Sequence, residues 1–229
     1  MLHFDFLERR GVRIAGFTEC HDGDFSNSNP CADISLKKLV SAAISSETPV
    51  ELVMPIQVHG TQIAVVDGSN PSSRPDGTDG LLTDKRDIVL CVLTADCVPL
   101  FLFDPIRRVI GLVHAGRKGI LEGIPTRSVQ LMVEHYGTDP ESILAFVGPS
   151  ACPRCYEVSE EIVTEWSSRE LPHRGRFLDL WGATVQQLQR TGVLFTNMGA
   201  SNIYTIDDTR FFSYRRNHTF QRNAAIIML

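Results

Sequence analysis

The sequence predicts a strand-rich domain of the α/β or α+β class. Three observations carry that reading. Residues 88–93, 98–103 and 109–113 are near-continuous apolar runs, the pattern of strands covered on both faces. Amphipathic stretches at helical spacing follow them. No linker, repeat or low-complexity segment interrupts the 229 residues, so the expectation is one domain spanning 1–229.

Each element has its own signal. Residues 1–50 are the least patterned. Within them 21–30 is a polar, turn-rich loop, while 34–44 place Ile34, Leu36, Leu39, Val40 and Ala43 near helical spacing. Residues 51–56 and 62–66 are strand-like, with His59 and Gly60 between them, and 69–77 form a Ser/Pro/Gly loop. Pro125 and Gly137 bracket a helix in which Val129, Met132, Val133 and Tyr136 fall at i, i+3, i+4 and i+7. Residues 143–147 form another buried strand, closed by Gly148 and Pro149. Helices are expected at 158–166 and 181–190, the second stopped by Gly192, and late strands at 203–206 and 224–229.

Composition narrows the function. The net charge is −5 and the sequence pI about 5.8, which argues against a protein that coats nucleic acid or anionic lipid, since phosphate contacts need clustered Lys and Arg. One or two local cations could still hold a small anion. The N-terminus lacks a basic region followed by an apolar run. The most apolar window, 88–103, is shorter than the ~20 residues of a spanning helix and contains Asp96 and Pro99. The expectation is a soluble cytoplasmic protein without membrane or nucleic-acid partners. Six cysteines fit that compartment, because a chain this long needs no disulfide staples.

Three short motifs end buried strands: Gln57-Val58-His59-Gly60, Thr94-Ala95-Asp96-Cys97 and His114-Ala115-Gly116. Strand ends let side chains converge on a rigid scaffold. Two histidines and a cysteine suit a borderline-soft ion, and three protein ligands plus one open position is the arrangement of a catalytic zinc site. The alternative is that these are core residues, since free Cys is often buried. Asp96 is placed to orient a ligand histidine or a substrate amine, or to cap a turn. Arg215 and Arg216 are either a solvated pair or anion contacts. Cys152-Pro153-Arg154-Cys155 is a C-x-x-C, read as a loop or as a redox dithiol. Cys20, Cys31 and Cys91 have no evident partners.

The ordered series QVHGT, TADCVPLFLFDP, GLVHAG, VGPSACPRCYEV, LDLW and FFSYRR resembles the bacterial laccase-domain, or "multicopper polyphenol oxidase", family. That family is better described as zinc-dependent purine nucleoside phosphorylases with adenosine deaminase activity. The resemblance covers residues 24–229. It implies a single α+β domain with helix–sheet–sheet–helix layers and mixed sheets, and metal ligands at His59, Cys97 and His114. It implies zinc (Zn2+) as cofactor, with copper (Cu2+) the alternative, and a purine nucleoside and phosphate as substrates. The substrate-contact candidates are Asn29, Gln57, Asp96, Arg117, Lys118 and Arg215. The chain departs from the family's HAGWRG, where Arg117 and Lys118 replace Trp and Arg. It departs again at Arg154 in CCYEV, at Tyr204-Thr205 in place of a Cys-Thr pair, and at Thr184 in place of Asn.

The implied chemistry is water attack on purine C6 to release ammonia, and phosphate attack on the ribose anomeric carbon with Lys118 or Arg117 holding the anion. Three other readings differ in class. The first is a copper polyphenol oxidase, for which seven histidines without an H-x-H motif are a poor supply. The second is a Cys–His hydrolase of peptide-like cell-wall precursors with Cys97 as nucleophile. The third is a non-catalytic metal-stabilised binding domain.

Overall fold

The computed structural model describes residues 1–45, 50–68 and 73–229. The loop expected at 69–77 thus lies partly outside the described residues. The chain runs β1 (Leu2–His3), α1 (Asp5–Glu8), β2 (Ile14–Phe17), α2 (Ala32–Ala43), β3 (Glu51–Val53), β4 (Ile63–Val65) and β5 (Gly80–Thr83). The central block is β6 (Ile88–Thr94), β7 (Val98–Asp104), β8 (Val109–Ala115), α3 (Arg117–Leu121), α4 (Ile124–Tyr136) and β9 (Leu144–Val147). It is followed by α5 (Glu160–Ser167), β10 (His173–Arg174), β11 (Phe177–Leu178), α6 (Leu180–Arg190), β12 (Met198–Ala200), α7 (Tyr214–Asn217) and β13 (Asn223–Met228).

Two mixed sheets stack face to face. One has the order β1-β2-β13-β6-β3, the other β12-β9-β7-β8-β5-β4, and a small β10-β11 hairpin stands apart. Because side chains alternate along a strand, each apolar run supplies two layers at once. In β6, Ile88, Leu90 and Val92 pack between the sheets with Phe101, Phe103 and Ile110. The alternate residues Val89, Cys91 and Leu93 face outward onto Leu36 and Val40 of α2. In β7, Leu100 and Leu102 face the opposite outer layer, where Val129 and Met132 of α4 and Trp166 of α5 cover them. The result is helix–sheet–sheet–helix, the α+β layering the resemblance implies. Full burial of a Leu, Ile, Val or Phe side chain contributes about 1.5–3 kcal/mol, so these three layers dominate the stability.

Local chemistry sets the helix limits. Gly137 ends α4 in the left-handed conformation at φ 64°. Asp179 caps α6, accepting a hydrogen bond from the Gly182 N–H at 2.8 Å. The expected helix at 158–166 begins instead at Glu160. The Val158 N–H bonds to Arg176, and Ser159 is extended at the cap. The expected strand at 203–206 is not one. Asn202 turns the chain at φ 54°, and this stretch makes only the isolated Ser150–Tyr204 bridge. The strand that pairs with β9 is β12, just upstream. Strands β1, β2, β5, β10, β11 and β12 lie in stretches for which the sequence predicts no strand. No helix among the described residues is long and apolar enough to cross a membrane.

Candidate metal centre

Strand β6 belongs to one sheet and β7 to the other, so Ala95, Asp96 and Cys97 carry the chain across the seam. Asp96 makes that crossing at φ 90°, a strained conformation for a residue with a Cβ. Its surroundings hold it there. Thr205 Oγ1 donates to Asp96 Oδ1 at 2.7 Å, and the Arg215 N–H donates to Oδ2 at 2.7 Å. The Ala151 N–H donates to the Asp96 carbonyl at 2.9 Å.

Pairing of β7 with β8 sets Val98 opposite Ala115 and Pro99 opposite His114, which brings Cys97 beside the end of β8. His59 arrives on the turn before β4, left-handed at φ 61°. The His59 and His114 rings meet edge to face, centroids 4.8 Å apart. One ligand atom from each of His59, Cys97 and His114 lies within 4.8 Å of the others. An ion with ~2.0–2.1 Å Zn–N and ~2.3 Å Zn–S bonds would draw its ligands closer than that limit. Gly116 keeps the centre open: a Cβ there would meet His59 at 3.0 Å, Cys97 Sγ at 3.2 Å and His114 at 3.5 Å. Two imidazoles and a thiolate around such a hollow fit a borderline-soft divalent ion.

The electrostatics agree with a ligand set. Burial pushes the Cys97 thiol up, but the charge and hydrogen bond of His114, with His59, outweigh it and bring Cys97 down to about 6. Burial alone would lower His114, yet Cys97 and Asp79 raise it to about 9. Asp79 is fully buried and was not singled out in the sequence. It accepts from His114 Nδ1 at 2.8 Å, assigned as the N–H, and from the backbone N–H groups of Val58, His59 and Gly60 at 3.1, 2.9 and 2.8 Å. Burial pushes its carboxyl up, but His114 and the Gly60 and Val58 N–H groups hold it below the usual carboxylate value. The available signal was a lone Asp before the short apolar strand Gly80–Thr83.

His59, Cys97 and His114 stand in a cavity of about 930 Å³. Its walls include Gln57, Asp96, Arg117, Lys118 and Arg215, five of the six expected substrate contacts. Gln57 lines it, but its amide pairs with the Leu93 backbone in both directions, at 2.8 and 2.9 Å. Arg215 lies over the Tyr156 ring, 4.2 Å from its centroid, and donates to the Glu157 carbonyl. Asn29 is absent from the lining. Its side chain bonds the Asp24 carbonyl and the Cys31 N–H, and Ser26, Asn27 and Ser28 face the cavity from that loop. Tyr156, Tyr214, Phe220 and Arg222 also line the wall and were not anticipated. Arg216 is structural: its guanidinium donates to the carbonyls of Thr205, Ile206, Asp208 and Phe211. Cys152 and Cys155 are joined as a disulfide on the loop that leads into Tyr156, a staple the cysteine usage did not call for.

The family described as multi-copper polyphenol oxidoreductase laccase matches residues 23–229. The chain belongs to that family. Among its relatives, the purine nucleoside phosphorylase ORF3 of Streptomyces griseus is 36% identical, covering 99% of this chain and 94% of that protein. A purine nucleoside phosphorylase of Streptomyces coelicolor is 35% identical, covering 99% and 95%. The solved structure of YlmD from Geobacillus stearothermophilus superposes with a TM-score of 0.82 at 27% identity, covering 94% of this chain and 91% of that one. The family description speaks of several coppers. Among the described residues, the other two groups of possible ligands, Cys152, Cys155 and Asp207 and Glu19, His21 and Asp22, hold at most one histidine each.

Proposed function

We propose that this laccase-family chain is a zinc-dependent purine nucleoside phosphorylase that also deaminates adenosine. One observation carries the reading: a His-Cys-His donor set lines a cavity of about 930 Å³ together with Arg117, Lys118 and Arg215. The names printed for the Streptomyces relatives support the purine nucleoside and phosphate as substrates. His59, Cys97 and His114 would hold the ion. Bound zinc supplies a Lewis acid that polarises an electrophile and makes water a better nucleophile at neutral pH.

The protein's own groups do the rest. Arg117, Lys118 and Arg215 bind phosphate by charge-assisted hydrogen bonds. In phosphorolysis a phosphate oxygen bonds to the ribose anomeric carbon. The bond from that carbon to purine N9 breaks, and the electron pair passes to N9, which takes up a proton. In deamination water adds at C6, and the C6–N bond breaks to release ammonia. Tyr156, Tyr214 and Phe220 offer aromatic faces for the base. Asp96 and Gln57 brace the walls, since their polar atoms are committed to protein partners.

The Cys97–His114 pair supports a second reading, an acyl-transfer enzyme with a Cys97 thiolate as nucleophile. One experiment separates the two. Purified protein is assayed for metal content and incubated with adenosine, inosine or methylthioadenosine, with and without phosphate. About one zinc per chain and phosphate-dependent release of the base support the proposal. Absence of product in every arm, with copper-loaded protein oxidising a phenol or metal-free protein hydrolysing an amide, overturns it.

A further inference from the structure

Asp79 joins two of the three donors, and it reaches them from a third segment of chain. It stands just before β5, whose antiparallel pairing with β8 sets Gly80 opposite Val113. Continuing that register by one residue puts Asp79 opposite His114. The backbone records the match, with the His114 N–H donating to the Asp79 carbonyl at 2.7 Å. On its other side, β4 runs parallel to β5, and the Asp79 N–H donates to the Gln62 carbonyl at 2.8 Å. This places the carboxylate beneath the turn that carries His59.

We infer that Asp79 is the positioning residue of this centre, fixing which nitrogen of His114 is free and where His59 stands. The inference rests on the proposed metal reading. Oδ1 accepts from His114 Nδ1 and from the His59 N–H; Oδ2 accepts from the N–H groups of Val58 and Gly60. With the Nδ1 proton held by Asp79, Nε2 is the nitrogen left to share the hollow with Cys97 and His59. The three consecutive N–H groups wrap one carboxylate, which stabilises the left-handed turn at His59. A carboxylate behind a ligand histidine fixes its tautomer and ring orientation, and its loss typically weakens metal binding about 10–100-fold.

Asn cannot substitute. An amide offers one oxygen and one NH2, so at least one of the four donors would face another donor. If the NH2 faces His114, Nδ1 must accept, and the proton moves to Nε2, the position a metal needs. If it faces Val58 and Gly60, the His59 turn loses its anchor.

The test compares wild type, Asp79→Asn and His114→Ala. Zinc affinity is measured by competition with a chromophoric chelator, and fold by circular dichroism of the metal-free proteins. Asp79→Asn should fold and bind zinc about 10–100-fold more weakly, although all three ligands remain. Wild-type affinity in folded Asp79→Asn overturns the inference. A second measurement needs no variant. Long-range 1H–15N spectra of wild type should show a downfield, slowly exchanging His114 Nδ1–H, both metal-free and zinc-loaded, with the zinc-induced shift on Nε2. An unprotected Nδ1, or a zinc shift on that atom, overturns it even if Asp79→Asn fails to fold. If wild type shows the protected Nδ1–H yet binds no zinc, the metal reading fails and the positioning by Asp79 stands.

Discussion

The floor and the rim of the cavity are built on opposite plans. On the floor, Asp79 is fully buried and His114 and Asp96 are each 3% exposed, and their hydrogen-bonding partners are protein atoms. On the rim, Phe220 is 78% and Tyr214 45% exposed, and Arg215 and Lys118 are exposed as well. A floor group has its position dictated by strand register and by partners whose loss leaves a buried polar atom unpaired. Exposed rim groups such as Phe220 and Lys118 are less constrained, although Arg215 is held over Tyr156 and by the Glu157 carbonyl. The departures at Arg117 and Lys118 lie on this wall, and the donor set spans both regions, with His114 buried, Cys97 half-buried and His59 exposed. The comparison teaches that the buried support of His114 and the solvent-facing cations of the wall are built independently.

Cys97→Ala should break the floor outright. It removes the only thiolate of the set, so stoichiometric zinc and nucleoside turnover should fall to background in elemental analysis and product assays. Retained zinc would show that the floor is not wired as described.

Lys118→Ala probes the rim. A hydrogen bond to a charged group contributes about 1.5–3 kcal/mol, or roughly ten- to a hundred-fold in rate if it acts in the transition state. Phosphate-dependent cleavage should drop by about that factor while deamination persists, and Lys118→Arg should preserve or raise it. Equal loss of both activities would erase the distinction between floor and rim.

Thr205→Val leaves Asp96 Oδ1 without its hydroxyl donor. A buried unpaired acceptor costs about 1–3 kcal/mol, so thermal unfolding should shift down by several degrees. Phe220→Ala, by contrast, should leave the melting temperature unchanged and raise KM a few-fold at constant kcat, as expected for lost uniform binding.

The smallest effect concerns pH in the metal-free protein. A depressed thiol pKa adds stability that fades as pH falls through about 6, and a raised imidazole pKa adds stability that fades as pH rises through about 9. The Cys97–His114 pair therefore supports the metal-free fold between those limits. Between those limits the thiol's contribution grows with pH as the imidazole's shrinks, so melting temperature should stay level there. Cys97→Ser, which removes the growing part, should make it decline as pH rises.

Much of this was legible in the chain. The runs at 88–93, 98–103 and 109–113 are long enough for their apolar content to announce strands covered on both faces, and Gly137 marks its helix end. The residue types of His59, Cys97 and His114 were legible as possible ligands; Cys97 and His114 do stand at strand ends, whereas His59 lies on the turn between β3 and β4. Strand β5 offers only the pair Leu81 and Leu82 between Gly80 and Thr83, too little pattern to read, and Asn202 turns the chain where a strand was expected. Asn29 and Ser28 are one residue apart, and only the turn built on Asp24 decides which of them faces the cavity.

The sequence by itself determined the apolar layers and the chemical identity of the donors, because hydrophobic periodicity and ligand type are properties of single residues and their near neighbours. Only the tertiary structure decided that Asp79 stands behind His114, that Gln57 serves the Leu93 backbone, and that Arg216 holds carbonyls while Arg215 lines the cavity. The first depends on strand register between segments far apart in sequence, where a one-residue slip would turn the side chain to the opposite face. The second depends on contacts that form only once the chain has folded back to bring Leu93 beside Gln57. The last depends on how α7 packs on the loop before it.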